Sequence, residues 1–311
     1  MLQYLVILLD DTSVSYCHYE NPKTKKRLIS LHDLKVGILF AMKQNLMIQF
    51  VYPNYEIPDE YRKEIDTIDH HNIAPQKLQL KNADVVVLDG YVHANLPVNG
   101  EKIFVIRTSK SDLFANYKKI MPLLGKVERL NIVLTDIEKF TKDDFSLYKE
   151  TLKLLKNTVK EVFIQGNFPQ INLLTDRILL DKMNNCNAGI ENITLAPNGE
   201  FYVCPAFYYE DEKESVGNLK NGLKIKNQQL YKLDYAPLCR VCDAYQCKRC
   251  SWLNRRTTKE VNTPSHEQCV VAHLERNASR DLLIDLQQLG AWKEKSIEVI
   301  EYLDPFEITE K

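Results

Sequence analysis

The sequence predicts an α/β protein: a partial β/α barrel followed by a small cysteine-rich domain with a β-hairpin and short helices. Three observations lead there. Short apolar runs alternate with amphipathic helical stretches through the first 185 residues, the pattern of parallel βαβ units. Seven of the eight cysteines (Cys186, Cys204, Cys239, Cys242, Cys247, Cys250 and Cys269) lie from residue 186 onward. From that point the periodicity gives way to turns and short elements.

The opening run reaches Asp10 and Asp11 after nine residues and has no basic start, so Leu5–Leu9 reads as a first buried strand and not as a signal peptide. Further strands are predicted at Met47–Val51, Asp84–Leu88, Ile103–Ile106, Asn131–Leu134 and Val162–Ile164. Helices are predicted at Leu31–Lys43, with Leu34, Ile38, Leu39 and Met42 at helical spacing, and at Leu113–Leu124 and Phe145–Leu155. The segment Tyr55–Gln79, with Pro58, Pro75 and the pair His70-His71, is the least regular, and its centre reads as helical. Each strand ends in polar residues: Asp10 and Asp11, Asn54, Asp89, Arg107, Thr135 and Asp136, and Gln165. Capping of the next helix accounts for most of them. Arg107 and the Asp10-Asp11 pair stand out as candidate ligand contacts, because carboxyl ends of strands form the working face of a β/α barrel.

Beyond Cys186, Ile193–Val203 reads as a hairpin turning at Asn198-Gly199. An acidic loop (Glu210 to Glu214), a short helix near Gln228–Leu233, the dense cysteine region and a helical tail from Leu274 to Leu289 follow, with Pro305 at its loose end. This divides the chain at 1–185, 186–273 and 274–311.

Hydrophobic residues make up 44% and charged residues 27%, enough for a sizeable core. The net charge of −1 argues against nucleic acid as the main partner. No apolar run approaches the ~18 residues that span a bilayer. A cytoplasmic setting follows, where the cysteines serve as metal ligands more often than as disulfides. No Gly-rich phosphate loop, paired carboxylates or Ser-His arrangement points to a catalytic residue. Cys17 beside His18 reads as a buried or relic thiol, and His266 and His273 as surface residues.

Cys239-Arg-Val-Cys242 and Cys247-Lys-Arg-Cys250 each place two sulfurs on one tight turn, with four residues between the pairs. Thiolates so close repel unless a cation sits among them, so metal is the expected occupant. Zinc ribbons separate their knuckles by roughly 12–20 residues. Iron–sulfur clusters tolerate closer thiolates, which favours them over zinc, with disulfides third.

The run Cys186, Gly199, Cys204, then Cys-x2-Cys-x4-Cys-x2-Cys, then Cys269, resembles the SPASM domain, the C-terminal extension of peptide-modifying radical S-adenosylmethionine (SAM) enzymes. Ala196-Pro-Asn-Gly199, Tyr202-Val-Cys204-Pro205 and Val216-Gly-Asn-Leu219 are similar too. The four-cysteine run is one residue shorter in each of its last two intervals than that domain's pattern. The resemblance implies auxiliary [4Fe–4S] clusters: Cys239, Cys242, Cys247 and Cys269 would hold one, and Cys186, Cys204 and Cys250 a second with three cysteine ligands.

The first half resembles a degenerate radical SAM barrel. Active members carry Cys-x3-Cys-x2-Cys after the first strand, where Asp10–Pro22 here has only Cys17; Tyr52-Pro53-Asn54 replaces a cofactor-contacting Gly-Gly-Glu. No S-adenosylmethionine site is apparent. Over nearly its whole length, from the Leu-Val-Ile-Leu-Leu-Asp-Asp-Thr-Ser opening to the cysteine array, the chain resembles the CXXX repeat peptide maturases. That implies a role in maturing a ribosomally made cysteine-repeat peptide, with a precursor peptide or an intact radical SAM enzyme as partner. The alternative is a zinc-stabilised protein- or nucleic-acid-interaction module, in which Lys248, Arg249, Arg255, Arg256 and Lys259 surround Trp252.

Overall fold

Tyr-Leu-Val-Ile-Leu is apolar without alternation, and it forms β1 (Tyr4–Leu8), a strand buried on both faces as the centre of a parallel sheet requires. The computed structural model describes residues 2–90 and 102–299. In chain order β1 is followed by α1 (Leu31–Gln44), β2 (Met47–Val51), α2 (Asp59–Ile65), β3 (His70–Pro75) and β4 (Val85–Asp89). Next come β5 (Ile103–Thr108), α3 (Lys110–Asn116), β6 (Arg129–Leu134), α4 (Lys142–Ile164), β7 (Gln170–Ile171) and α5 (Asp176–Leu179). The remainder holds β8 (Asn192–Leu195), β9 (Phe201–Tyr202), α6 (Pro205–Glu210), β10 (Gly217–Asn218), β11 (Gly222–Leu223), α7 (Ser251–Thr258) and α8 (His266–Gln288). The architecture is mixed α/β with mostly parallel strands, as the sequence predicts.

Packing divides the chain into two units, each made of two stretches: Met1–Val87 with Asn187–Ala236, and Leu88–Cys186 with Pro237–Lys311. In the first unit the strands run in the order β4-β3-β2-β1-β8-β9. Leu5 lies opposite Ile48 on one side and Ile193 on the other, all three fully buried. The β8–β9 hairpin at its edge is antiparallel, turned by Gly199 at φ +78, and β10–β11 form a separate antiparallel pair. Helix α1 lies close on this sheet because Gly37 has no side chain; a Cβ there would come within 2.6 Å of Leu195 Cδ2. The second unit has β7-β6-β5, all parallel. Its long helices α4 and α8 are tied by Tyr148 Oη donating to Glu275 Oε1 at 2.6 Å and by Lys156–Asp285 at 2.8 Å. Both helices start in capping boxes, Thr141 with Asp144 and Ser265 with Gln268.

The structure departs from the sequence reading at four elements. Val162–Ile164 is the last turn of α4, whose buried Tyr148, Leu152, Leu155 and Val159 recur at helical spacing; Gln165 therefore caps a helix, not a strand. Within Tyr55–Gln79 the helical centre is α2, but the polar run His70–Pro75 is β3, a strand the alternation did not reveal. The helix expected at Leu113–Leu124 starts earlier on its Ser109 cap and breaks into short 3-10 turns, one of them containing Pro122. The tail helix begins at His266, ahead of Leu274, and Pro305 lies outside the described residues. The sequence division was drawn by motif content; the packing units interleave because β8 pairs in parallel with β1.

Replacing Gly37 with valine should lower stability by about 2 kcal/mol through overpacking against Leu195. Urea denaturation of the two proteins measures it, and an unchanged midpoint would contradict the close approach of α1.

Candidate metal centre

Six of the seven arrayed cysteines belong to the second unit; Cys204, at the N-cap of α6, belongs to the first. All eight cysteines are thiols, none in a disulfide. The Cys239–Val241 segment is a 3-10 turn, and Cys242 closes it with its N–H on the Cys239 carbonyl at 3.1 Å. Cys247 is close enough to feel the charge of both Cys239 and Cys242, whereas Cys250 feels that of Cys186. Cys186 is held there by its N–H on the Lys248 carbonyl at 2.8 Å, one rung below Asn184 N–H on the Tyr245 carbonyl at 2.8 Å. Cys269 lies in the first turn of α8, one turn ahead of His273 on the same face. The His273 ring Nε2 is 3.5 Å from Cys242 Sγ.

Helix α8 anchors this loop. Buried Arg276 grips Asp243 through both carboxylate oxygens, Nε to Oδ1 at 2.8 Å and Nη2 to Oδ2, and Arg177 approaches the same carboxylate at 3.4 Å. Against the cost of burial, these guanidinium groups pull the Asp243 carboxyl below its usual range. Gln246 donates to the Ala272 carbonyl at 2.7 Å. His273 is buried, not a surface residue as its sequence context suggested; His266 is exposed and its ring meets Phe145. Arg249 and Trp252 are buried as well, so the basic-aromatic group read from the sequence is not one solvated patch.

Burial sets the chemistry of these sulfurs. It pushes Cys239 up to about 11 and Cys247 and Cys250 up to about 12, and it raises Cys242. Backbone amides act in the opposite sense: Ala244 N–H reaches Cys242 Sγ at 3.4 Å, the amide of Arg249 favours ionised Cys247, and those of Leu253 and Trp252 favour ionised Cys250. Without a cation such thiols stay protonated and inert; with one, the amides support the thiolates. Among the described residues no three His, Cys, Asp or Glu side chains converge on a point that a single ion could occupy.

The first unit brings together residues that the sequence did not connect. Asp10 is fully buried and makes a turn, its Oδ1 accepting from Thr12 N–H at 2.8 Å and Thr12 Oγ1 at 2.5 Å. Asp11 pairs with Arg27 at 2.9 Å and accepts from Tyr208 Oη; Arg27 also reaches Tyr208 Oη at 2.6 Å and Glu212 at 2.9 Å. Tyr209 Oη donates to the Ser13 carbonyl at 3.2 Å, and its ring meets that of buried Tyr19. Ser13 Oγ and Val14 N–H take the carbonyls of Val51 and Tyr52 at the end of β2. In the second unit Arg107 is nearly buried, and its guanidinium is engaged by Asp89 at 2.5 Å. Arg27 and the tyrosines of α6 were missed because they come from segments nearly 200 residues apart; only the aromatic run Phe207-Tyr208-Tyr209 signalled them.

No protein-family model and no curated protein matches the chain. Solved structures do. Histidine-tagged anSMEcpe with bound AdoMet superposes with a TM-score of 0.60 at 14% identity, over 94% of this chain and 97% of that one. Native anSMEcpe with AdoMet and the Cp18Cys peptide gives 0.60 and 14%, over 93% and 100%. The form with the Kp18Cys peptide gives 0.60 and 16%, over 92% and 99%. The likeness is one of fold, and the fold is radical-SAM-like. No described helix is long and apolar enough to cross a membrane.

Two outcomes follow. Metal loading must displace protons from thiols held near 11–12, so Co2+ binding, read as thiolate-to-metal absorbance, should strengthen as pH rises from about 7 to 9, with proton release. A pH-independent titration would place the metal off these sulfurs. Separately, burial raises the Glu275 carboxyl to about 7, despite hydrogen bonds from Tyr148 and Gln246 that favour its ionised form. The folded state therefore keeps a proton that the unfolded chain gives up at the ordinary value of 4.5. Its stabilising share is full below that value and disappears as pH climbs through about 7. Glu275→Gln should flatten this decline, seen as a smaller difference between urea midpoints at about pH 5 and pH 8.

Proposed function

We propose that this protein takes part in maturing a ribosomally made cysteine-repeat peptide, as a radical-SAM-like protein without its own radical chemistry. It binds the precursor peptide or an intact radical SAM enzyme and carries auxiliary [4Fe–4S] clusters in a SPASM-type module, in the cytoplasm. The observation that carries this reading is the cysteine array: one buried and six half-buried thiols, with amides turned toward several of them, on a loop pinned to α8 by Asp243 and Arg276. Cys239, Cys242, Cys247 and Cys269 would hold one cluster; Cys186, Cys204 and Cys250 would supply three ligands to another. Such clusters supply electron transfer or an iron site for a substrate thiolate.

The peptide assignment draws on the whole-chain likeness to anSMEcpe, whose structures include AdoMet and the Cp18Cys or Kp18Cys peptide. The absence of radical chemistry draws on the first unit. The loop after β1 offers one cysteine, Cys17, and its own Ser13 and Val14 occupy the carbonyls at the end of β2. One thiolate cannot hold a cubane.

The test is anaerobic purification of the full chain with iron and sulfide assays, followed by incubation with S-adenosylmethionine and a reductant. A brown protein with acid-labile sulfide and no 5′-deoxyadenosine product is expected. A colourless protein containing zinc would favour the interaction-module alternative, and cofactor cleavage by this chain alone would overturn the loss of catalysis. Co-purification with a cysteine-repeat precursor or a radical SAM enzyme tests the partner.

A further inference from the structure

The first unit holds a cavity of about 340 Å³ whose described lining lies wholly between residues 52 and 82. The end of β2, the loop after it and α2 line one side, and the connection from β3 to β4 lines the other. Its apolar lining is continuous with the core of this unit: Ile57 is buried, and Leu78 and Leu80 pack against the same cluster.

Two polar groups on this cavity have no use inside the protein. Tyr52 is 4% exposed, and its backbone is fully paired, N–H on the Ile73 carbonyl at 2.9 Å and carbonyl with Val14 N–H at 3.0 Å. Its hydroxyl has no hydrogen bond among the described residues. A tyrosine so deeply buried ordinarily finds a partner for its hydroxyl. Asp66, which ends α2, is exposed and has no ion pair or side-chain hydrogen bond among the described residues.

The other charges narrow the ligand. Arg62, the cation that an anionic ligand would need, is taken by Glu56 at 3.0 Å and Asp59 at 4.0 Å. With Lys81 on the rim, two positive charges face the three negative charges of Glu56, Asp59 and Asp66. An apolar lining beside an unpaired carboxylate and an accepting hydroxyl suits an alkylammonium group. Its methylenes cover the leucines and Ile57, while its N–H donors reach the two oxygens.

We propose that this cavity binds a primary alkylammonium group, the side chain of a peptide lysine or a free alkylamine, with Asp66 as counter-charge and the Tyr52 hydroxyl as second acceptor. The site is independent of the cluster reading, since no cysteine is among its described lining residues.

The test titrates the isotope-labelled full chain with n-butylamine, Nα-acetyl-lysine N-methylamide, the Nε-acetylated form of that amide, and hexanoate. Both amines should shift the backbone NMR signals of Ile57, Asp66 and Leu78–Lys81, and the neutral and anionic probes should not. Tighter binding of the lysine amide than of butylamine assigns the site to a peptide; equal binding assigns it to a free amine. Asp66→Asn should weaken both amines about tenfold, the share of a charge-assisted hydrogen bond. Tyr52→Phe should weaken them several-fold, with circular dichroism to check folding; Asp66 is exposed, so its variant decides if Tyr52→Phe does not fold. Acetylated lysine or hexanoate binding as tightly as the amines, shifts confined to other parts of the chain, or wild-type affinity in Asp66→Asn overturns the proposal.

Discussion

A sulfur buried in protein ionises only if something positive compensates for the lost water, and the second unit places the thiols of Cys239, Cys247 and Cys250 under that constraint. The cysteine loop has little regular structure of its own, so its position comes from α8. The Arg276–Asp243 pair is the main tie: a guanidinium 1% exposed, bonded to both oxygens of a carboxylate that sits beside Cys242. Buried pairs of this kind add little net stability, but losing one partner strands the other. Their value here is geometric. With Asp243 fixed, Gln246 meets the Ala272 carbonyl and Cys242 meets His273, and both contacts depend on α8 keeping its register. That register is set by the Ser265–Gln268 capping box and by packing on α4.

The first unit meets a different demand at the carboxyl ends of its strands. Polar groups there must be satisfied by a ligand or by the chain itself. Asp10 folds back on Thr12 through Oδ1 alone, Ser13 covers the Val51 carbonyl, and Asp11 is enclosed by Arg27 and Tyr208. The aromatic rings of Tyr19, Tyr208 and Tyr209 pack next to these groups and keep their phenols neutral through burial. The loop is thus held by its own side chains in a fold that in anSMEcpe accompanies bound AdoMet.

Much of the fold was readable from pattern. Short apolar runs bounded by polar residues mark strands, so β1, β2 and β4 to β6 stood out, as did the Asn198-Gly199 turn. β3 did not, because His70, His71 and Asn72 are polar and their satisfaction comes from partners such as the Ile68 carbonyl and Asp84. Val162–Ile164 misled for the converse reason: a short β-branched run is ambiguous, and a helix capped about twenty residues earlier decided it. At the candidate site the cysteines were legible as a set. The residues packed around them, Asp243, Arg249, His273 and Arg276, look like ordinary surface polar residues in the sequence, since nothing local reports the burial of the last three or the pairing of Arg276 with Asp243.

The same burial explains how two Cys-x-x-Cys turns can sit only four residues apart. Treated as a single four-sulfur site, that spacing is cramped. The chain avoids the crowding by turning at both ends of the gap, with a 3-10 turn at Cys239–Val241 and a left-handed residue at Arg249. After the second reversal Cys250 leads into α7 and has Cys186 as its sulfur neighbour, while Cys247 stays with Cys239 and Cys242. Adjacent cysteines therefore diverge. The two tight turns, at Cys239–Val241 and at Arg249, are what let so short a spacing send neighbouring cysteines different ways.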